Sequence, residues 1–183
     1  ELPEDIVEVS DNFSGTVWNT GVMRHGRYYS IDTAPNYDGK PITLGEILQN
    51  EEEVPEKFFI NDPAKLEKFQ YLRGPKRIER TSTDGHTYIY SEGGMSPTDD
   101  LNLPGRTMLT SEGTVNRSTH FLHVNERYRL ITPVEAERLQ DFPDNWTALK
   151  RLSDGTVTEV SDKMRMFFMG NALVTDIVRK IGE

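Results

Sequence analysis

The sequence predicts an α+β chain: a small, twisted, mainly antiparallel β domain with short helices, followed by a C-terminal helix. Three observations carry this. Alternating apolar and polar residues flank turn dipeptides, most clearly at Asp84-Gly85. Thr43 and Thr132 each precede a glutamate by three residues, the signature of a helix start. Near the C-terminus, Leu173, Val174, Ile177, Val178 and Ile181 recur at helical spacing, with Gly182 at the end.

In chain order, residues 13–34 read as extended segments around a turn at His25-Gly26, and Val22, Arg27, Tyr29 and Ile31 alternate as in a half-buried hairpin. Thr43 with Glu46 starts a short helix. The acidic run of Glu51, Glu52 and Glu53 reads as a solvated loop. Residues 65–71 form a second helix, with Leu66, Phe69 and Gln70 on adjoining faces. A hairpin runs from Ile78 to Tyr90, because Asp84-Gly85 suits a type I′ turn. Two prolines and Gly93-Gly94 make residues 91–104 a loop. Strands are expected at 106–110 and 119–124, separated by a polar Gly/Ser/Thr/Asn/Arg loop. Thr132 caps the next helix, with Pro133 at its first position and Glu135 closing the box, and the helix ends near Phe142-Pro143. Residues 149–160 contain a turn at Asp154-Gly155, and the C-terminal helix follows.

A length of 183 residues allows one good-sized domain or two small ones. Hydrophobic residues make up 35% and charged residues 28%, enough for a core in a polar chain. No run approaches the roughly 18 apolar residues that span a bilayer. Cysteine is absent, which excludes disulfides, thiolate metal sites and a cysteine nucleophile within these residues. The sequons at Asn12, Asn116 and Asn145 are read as chance, and a cytoplasmic setting is expected. His120 and His123 lie three apart and would face opposite sides of a strand, so no metal site is expected. A start at Glu1 rather than methionine is read as the start of a fragment. The net charge of −9 has the wrong sign for a free nucleic-acid binder unless the basic residues cluster.

They do cluster. Arg73, Lys76, Arg77 and Arg80 surround the Ile78 hairpin, and Arg106, Thr107, Thr110, Ser111, Asn116 and Arg117 surround the polar loop. Arginine, asparagine, serine and threonine on loops are the side chains that reach phosphates and base edges. The plainer reading of each cluster is a solubilising surface.

Two segments carry a resemblance to a known family. Residues 129–146 (RLITPVEAERLQDFPDNW) are similar to the ninth sequence motif of DNA (cytosine-5) methyltransferases, and residues 169–174 (MGNALV) to the tenth. Residues 105–113 (GRTMLTSEG), 21–23 and 41–48 resemble the stretches that lead into the ninth motif and into the target-recognition domain. Residues 51–104 are idiosyncratic, in the region where this family varies its sequence specificity. The first-motif glycine loop, the Pro-Cys nucleophile, the Glu-Asn-Val motif and the Gln-x-Arg-x-Arg motif are not found.

The resemblance implies a linker over 1–11 and a target-recognition domain over 12–146. Residues 147–183 would then be a return segment and a tenth-motif helix belonging to the S-adenosylmethionine-dependent methyltransferase α/β domain. It implies double-stranded DNA and a missing N-terminal catalytic domain as partners, with no membrane and in a bacterial-type cytoplasm; homo-oligomers would form where the terminal apolar stripe stays uncovered. S-adenosyl-L-methionine is the implied cofactor of the parent enzyme, with Asn171 and Ala172 beside its pocket; the fragment alone is expected neither to bind it nor to catalyse. Asn171 is also read as a helix N-cap. No catalytic residue and no metal ligand is assigned. Glu135, Arg138, Leu139, Phe142 and Trp146 are read as structural, with Glu135 and Arg138 in a buried pair or network, or else as an exposed pair on one helix face. The other reading is a separately encoded DNA-specificity or interaction module without catalysis.

Overall fold

The computed structural model of the chain describes residues 5, 7–8, 11, 19–34 and 39–183. The sequon at Asn12, the extended residues 13–18 and most of the 1–11 linker lie outside them. The chain divides into two compact units, residues 1–40 and 41–183.

The first unit holds one antiparallel hairpin, β1 (Thr20–Arg24) and β2 (Arg27–Ile31). His25 and Gly26 turn it, both at positive φ (52° and 72°), as a two-residue primed turn requires. Val22, Tyr29 and Ile31 are exposed rather than half-buried. The alternation does set one apolar face, and a two-stranded ribbon does not by itself supply a second layer to cover it.

The second unit is built of short helices and hairpins. After a 3-10 turn at Gly45–Ile47 and two more at Glu51–Glu53 and Glu56–Phe58, helix α1 (Pro63–Arg73) begins. Asp62 caps it by accepting from the Ala64 N–H at 3.0 Å, and Pro63 stands at its first turn. Strands β3 (Lys76–Thr81) and β4 (Thr87–Glu92) form the expected hairpin, then β5 (Phe121–Val124) and β6 (Arg127–Leu130) form another. Helix α2 (Pro133–Leu139), the hairpin of β7 (Leu149–Arg151) and β8 (Val157–Glu159), helix α3 (Asp162–Asn171) and helix α4 (Thr175–Gly182) complete the unit.

The β5–β6 hairpin divides the core because successive strand residues point to opposite faces. Phe121 and Leu130 face one cluster with Ile60 and Phe69, where the Phe69 and Phe121 rings stack at 4.4 Å. Leu122 and Ile131 face the larger cluster of Leu44, Val54, Phe59, Met108, Ala136, Met166 and Met169. Each fully buried aliphatic or phenyl side chain contributes about 1.5–3 kcal/mol through removal from water.

Several expectations change. Thr43 starts only a 3-10 turn, although Glu46 does reach back to accept from its N–H (2.7 Å) and hydroxyl (2.9 Å). The acidic run is not a free loop: it forms a 3-10 turn, and Glu51 pairs with Arg127. Residues 106–110 form no strand, and the strand expected at 119–124 is confined to β5. Gly170-Asn171 ends helix α3 instead of opening a helix, so Asn171 is no N-cap; its amide donates to the Phe167 carbonyl at 2.8 Å. Trp146, expected to anchor packing, is 65% exposed, while Leu139 and Phe142 pack half-buried against the larger core.

Candidate nucleic-acid interface

Helix α2 is the hub on which the second unit is assembled, and its carboxylates face inward. Glu135 is fully buried and receives four donors: Arg129 Nη2 (2.7 Å) and the Gln49 N–H (2.9 Å) on Oε1, Arg129 Nη1 (2.8 Å) and the Thr132 N–H (2.8 Å) on Oε2. Glu137, also buried, accepts from Arg165 (2.9 Å), the Thr147 N–H (2.8 Å), the Thr147 hydroxyl and the Asn145 N–H (2.6 Å). The helix thereby ties residues before it to residues after it. Glu135 and Arg138 do not pair with each other: Arg138 forks onto Asp144 at 2.6 and 2.8 Å. A buried carboxylate needs hydrogen-bond donors on both oxygens, and each of these has them.

The two basic clusters, remote in sequence, meet at the root of the β3–β4 hairpin. Two carboxylates join them, and each takes one cation from each cluster. Asp99 binds Arg73 (2.7 Å) and Arg106 (2.5 Å), and also accepts from the Phe121 N–H at 2.7 Å. Glu92 binds Lys76 (2.8 Å) and Arg117 (3.0 Å). Carbonyls take further donors, although among the described residues the buried Arg73 Nε has no partner. Arg73 reaches the Ser96 and Thr119 carbonyls, Arg106 those of Ser118 and Thr119, and Arg117 those of Leu72, Gly74 and Gly93. Burial pushes the Asp99 carboxyl up, but hydrogen bonds from Arg106, the Phe121 N–H and Arg73 outweigh it and hold it below the usual carboxylate value.

Four of the ten residues proposed from sequence to touch DNA are therefore committed inside the fold. Arg73 is 1% exposed and cannot reach a duplex at all. Asn116 is half-buried and staples its own loop, its Oδ1 accepting from the Ser118 and Thr119 N–H groups at 2.8 and 3.0 Å. Thr107, Thr110 and Ser111 are exposed along the irregular connector of residues 105–113. Arg77 and Arg80 are exposed on the hairpin, and among the described residues neither side chain makes a hydrogen bond or ion pair. The hairpin itself carries Tyr88 and Tyr90, which the sequence reading passed over; the Arg80 guanidinium lies 3.9 Å above the centre of the Tyr90 ring.

Gly170 and Ala172 bring the C-terminal segment against this connector. A Cβ on Gly170 would stand 2.4 Å from the Leu109 carbonyl and the Thr110 nitrogen, so only glycine permits the approach. Ala172 helps line a cleft of about 390 Å³ with Met108, Leu139, Val174 and Ile177. Arg106, Thr107 and Gln140 also line this mostly apolar cleft, and no carboxylate faces it. A nucleoside cofactor is typically held by a carboxylate on its ribose hydroxyls, so these residues alone do not make a site for one. Among the described residues no group of histidine, aspartate and glutamate side chains could hold a metal ion.

Residues 19–183 match the family model of C-5 cytosine-specific DNA methylases. The chain belongs to this family. It is 52% identical over 182 residues to the Type II methyltransferase M.Sau3AI of Staphylococcus aureus, a match that takes in all of this chain and 41% of that protein. The chain thus spans about two fifths of the length of its methyltransferase relative. No solved structure matches it. No helix among the described residues is long and apolar enough to cross a membrane.

Proposed function

We propose that this chain is the target-recognition part of a DNA (cytosine-5-)-methyltransferase, together with the end of its catalytic domain. Residues 12–146 form the recognition domain, and residues 147–183 return the chain to the catalytic domain. The parent enzyme transfers a methyl group from S-adenosylmethionine to C5 of a cytosine flipped out of duplex DNA. A thiolate adding to C6 makes C5 nucleophilic toward that methyl group. These residues contain no cysteine, so the thiolate and most of the cofactor pocket come from the rest of the enzyme, which works in the cytoplasm.

The observation that carries the recognition role is the β3–β4 hairpin. Its root is pinned by four ion pairs, and its strands are mostly exposed on both faces, with Arg77 and Arg80 uncommitted. A rigid root with an open polar and aromatic tip is suited to a groove, because base contacts need side chains held in place before binding. The exposed Thr107, Thr110 and Ser111 add further hydroxyls.

The test uses the full-length enzyme that carries this chain, duplex DNA and S-adenosylmethionine with a labelled methyl group. Label is expected in 5-methylcytosine after digestion to nucleosides. Label in N4-methylcytosine or N6-methyladenine, or none in DNA, would overturn the proposal.

A further inference from the structure

We propose that Arg80, stacked on Tyr90, is a specificity-determining residue that reads a guanine in the major groove. This rests on the DNA-recognition role proposed above. In the β3–β4 register Ile78 pairs with Tyr90 and Arg80 with Tyr88, so these four residues share one face of the ribbon. Arg77, Glu79, Thr81, Thr87, Ile89 and Ser91 occupy the other. The main contacts of the two strands are with each other rather than with another helix or strand. A strand of six residues extends roughly 20 Å, and the major groove admits a two-stranded ribbon of this kind.

The contact between Arg80 and Tyr90 distinguishes Arg80 from the other cations of both clusters. Arg73, Lys76, Arg106 and Arg117 each direct N–H donors at carboxylates and carbonyls. Arg80 instead sits over the Tyr90 ring, its guanidinium carbon 3.9 Å from the ring centre, a distance that suits stacking. Stacking fixes the plane and leaves the in-plane donors free. That is the geometry of a bidentate bond to guanine O6 and N7. No uncommitted carboxylate competes on this face: Glu92 is bound by Lys76 and Arg117, and Glu79 lies on the opposite side. Asp84, in the turn, accepts from the Ser82 hydroxyl and the His86 N–H.

The experiment uses the full-length enzyme. A random duplex library first gives the methylated site of the wild type. Values of kcat/KM for wild type, Arg80→Ala, Arg80→Lys and Tyr90→Leu are then measured on that site and on duplexes with each base pair replaced singly. Arg80→Ala is expected to lose about 5- to 150-fold on the intact site, and to lose discrimination at one G·C pair alone. Arg80→Lys should not restore that discrimination, and Tyr90→Leu should weaken it at the same pair. A uniform loss on every duplex, which marks a phosphate contact, would overturn the inference, as would unchanged discrimination in Arg80→Ala. A wild type that methylates no duplex would overturn the proposed function itself, whereas a site-selective wild type matched by Arg80→Ala overturns only the role of Arg80.

Discussion

Asp99 is nearly buried and shared by two guanidinium groups, which makes the fold sensitive to acid at one position. Its folded pKa lies below the ordinary value of 3.8, so its stabilisation is fully present above the unfolded pKa and is lost as pH falls through the folded one. Asp99→Asn should therefore lower stability at pH 7 by on the order of 3 kcal/mol, because Arg73 is left buried without its charge partner. Urea midpoints should show this deficit unchanged down to about pH 5 and shrinking below about pH 4. Equal midpoints for both proteins at pH 7 would contradict the bracing role. Gly170 gives a second prediction at this scale. Gly170→Ala places a methyl group against the Leu109–Thr110 backbone, so α3 and the connector must separate. A loss of at least about 1–3 kcal/mol is expected from thermal or urea unfolding. Wild-type stability would mean that the close approach is not maintained in solution.

At the scale of elements, the hairpins at His25-Gly26 and Asp84-Gly85 were legible from their turn dipeptides, and the one without such a dipeptide was not. Asp84-Gly85 announced β3–β4, but the turn is not type I′: only Gly85 is at positive φ (85°), and its N–H closes a turn onto the Ser82 carbonyl at 3.0 Å. The β5–β6 hairpin turns instead at Asn125 and Glu126, both at positive φ (47° and 66°), and neither is glycine. Asparagine tolerates that region, but glutamate is strained there. Glu126→Gly should consequently raise stability by a few tenths to about 1 kcal/mol, read as a higher melting temperature; a lower one would contradict the turn geometry. Helix α3 was missed for a different reason. It buries Arg165, Met166 and Met169 and exposes Phe167 and Phe168, so its polarity runs against a simple amphipathic stripe. Arg165 is tolerated inside because Glu137 awaits it, a partner 28 residues away that no local pattern reveals.

At the scale of the whole molecule, the two family segments were legible because they are sequence-local. What they hold together was not. Asp99 and Glu92 both fell in the stretch read as a loop, yet these two carboxylates turn four of the six basic residues of the two clusters into internal braces. This also bears on the net charge of −9: recognition does not need a broad basic surface if a few arginines are presented on a ribbon. The most direct measurement is a map of methylated cytosines on random duplex DNA. It compares the full-length enzyme with a version in which a short glycine turn replaces residues 78–90. The root, from Lys76 to Glu92, stays in place. The wild type should methylate cytosine within one short sequence, and the shortened protein, folded by circular dichroism, should lose that selectivity. The same cytosines methylated at the same rate by both would contradict the account.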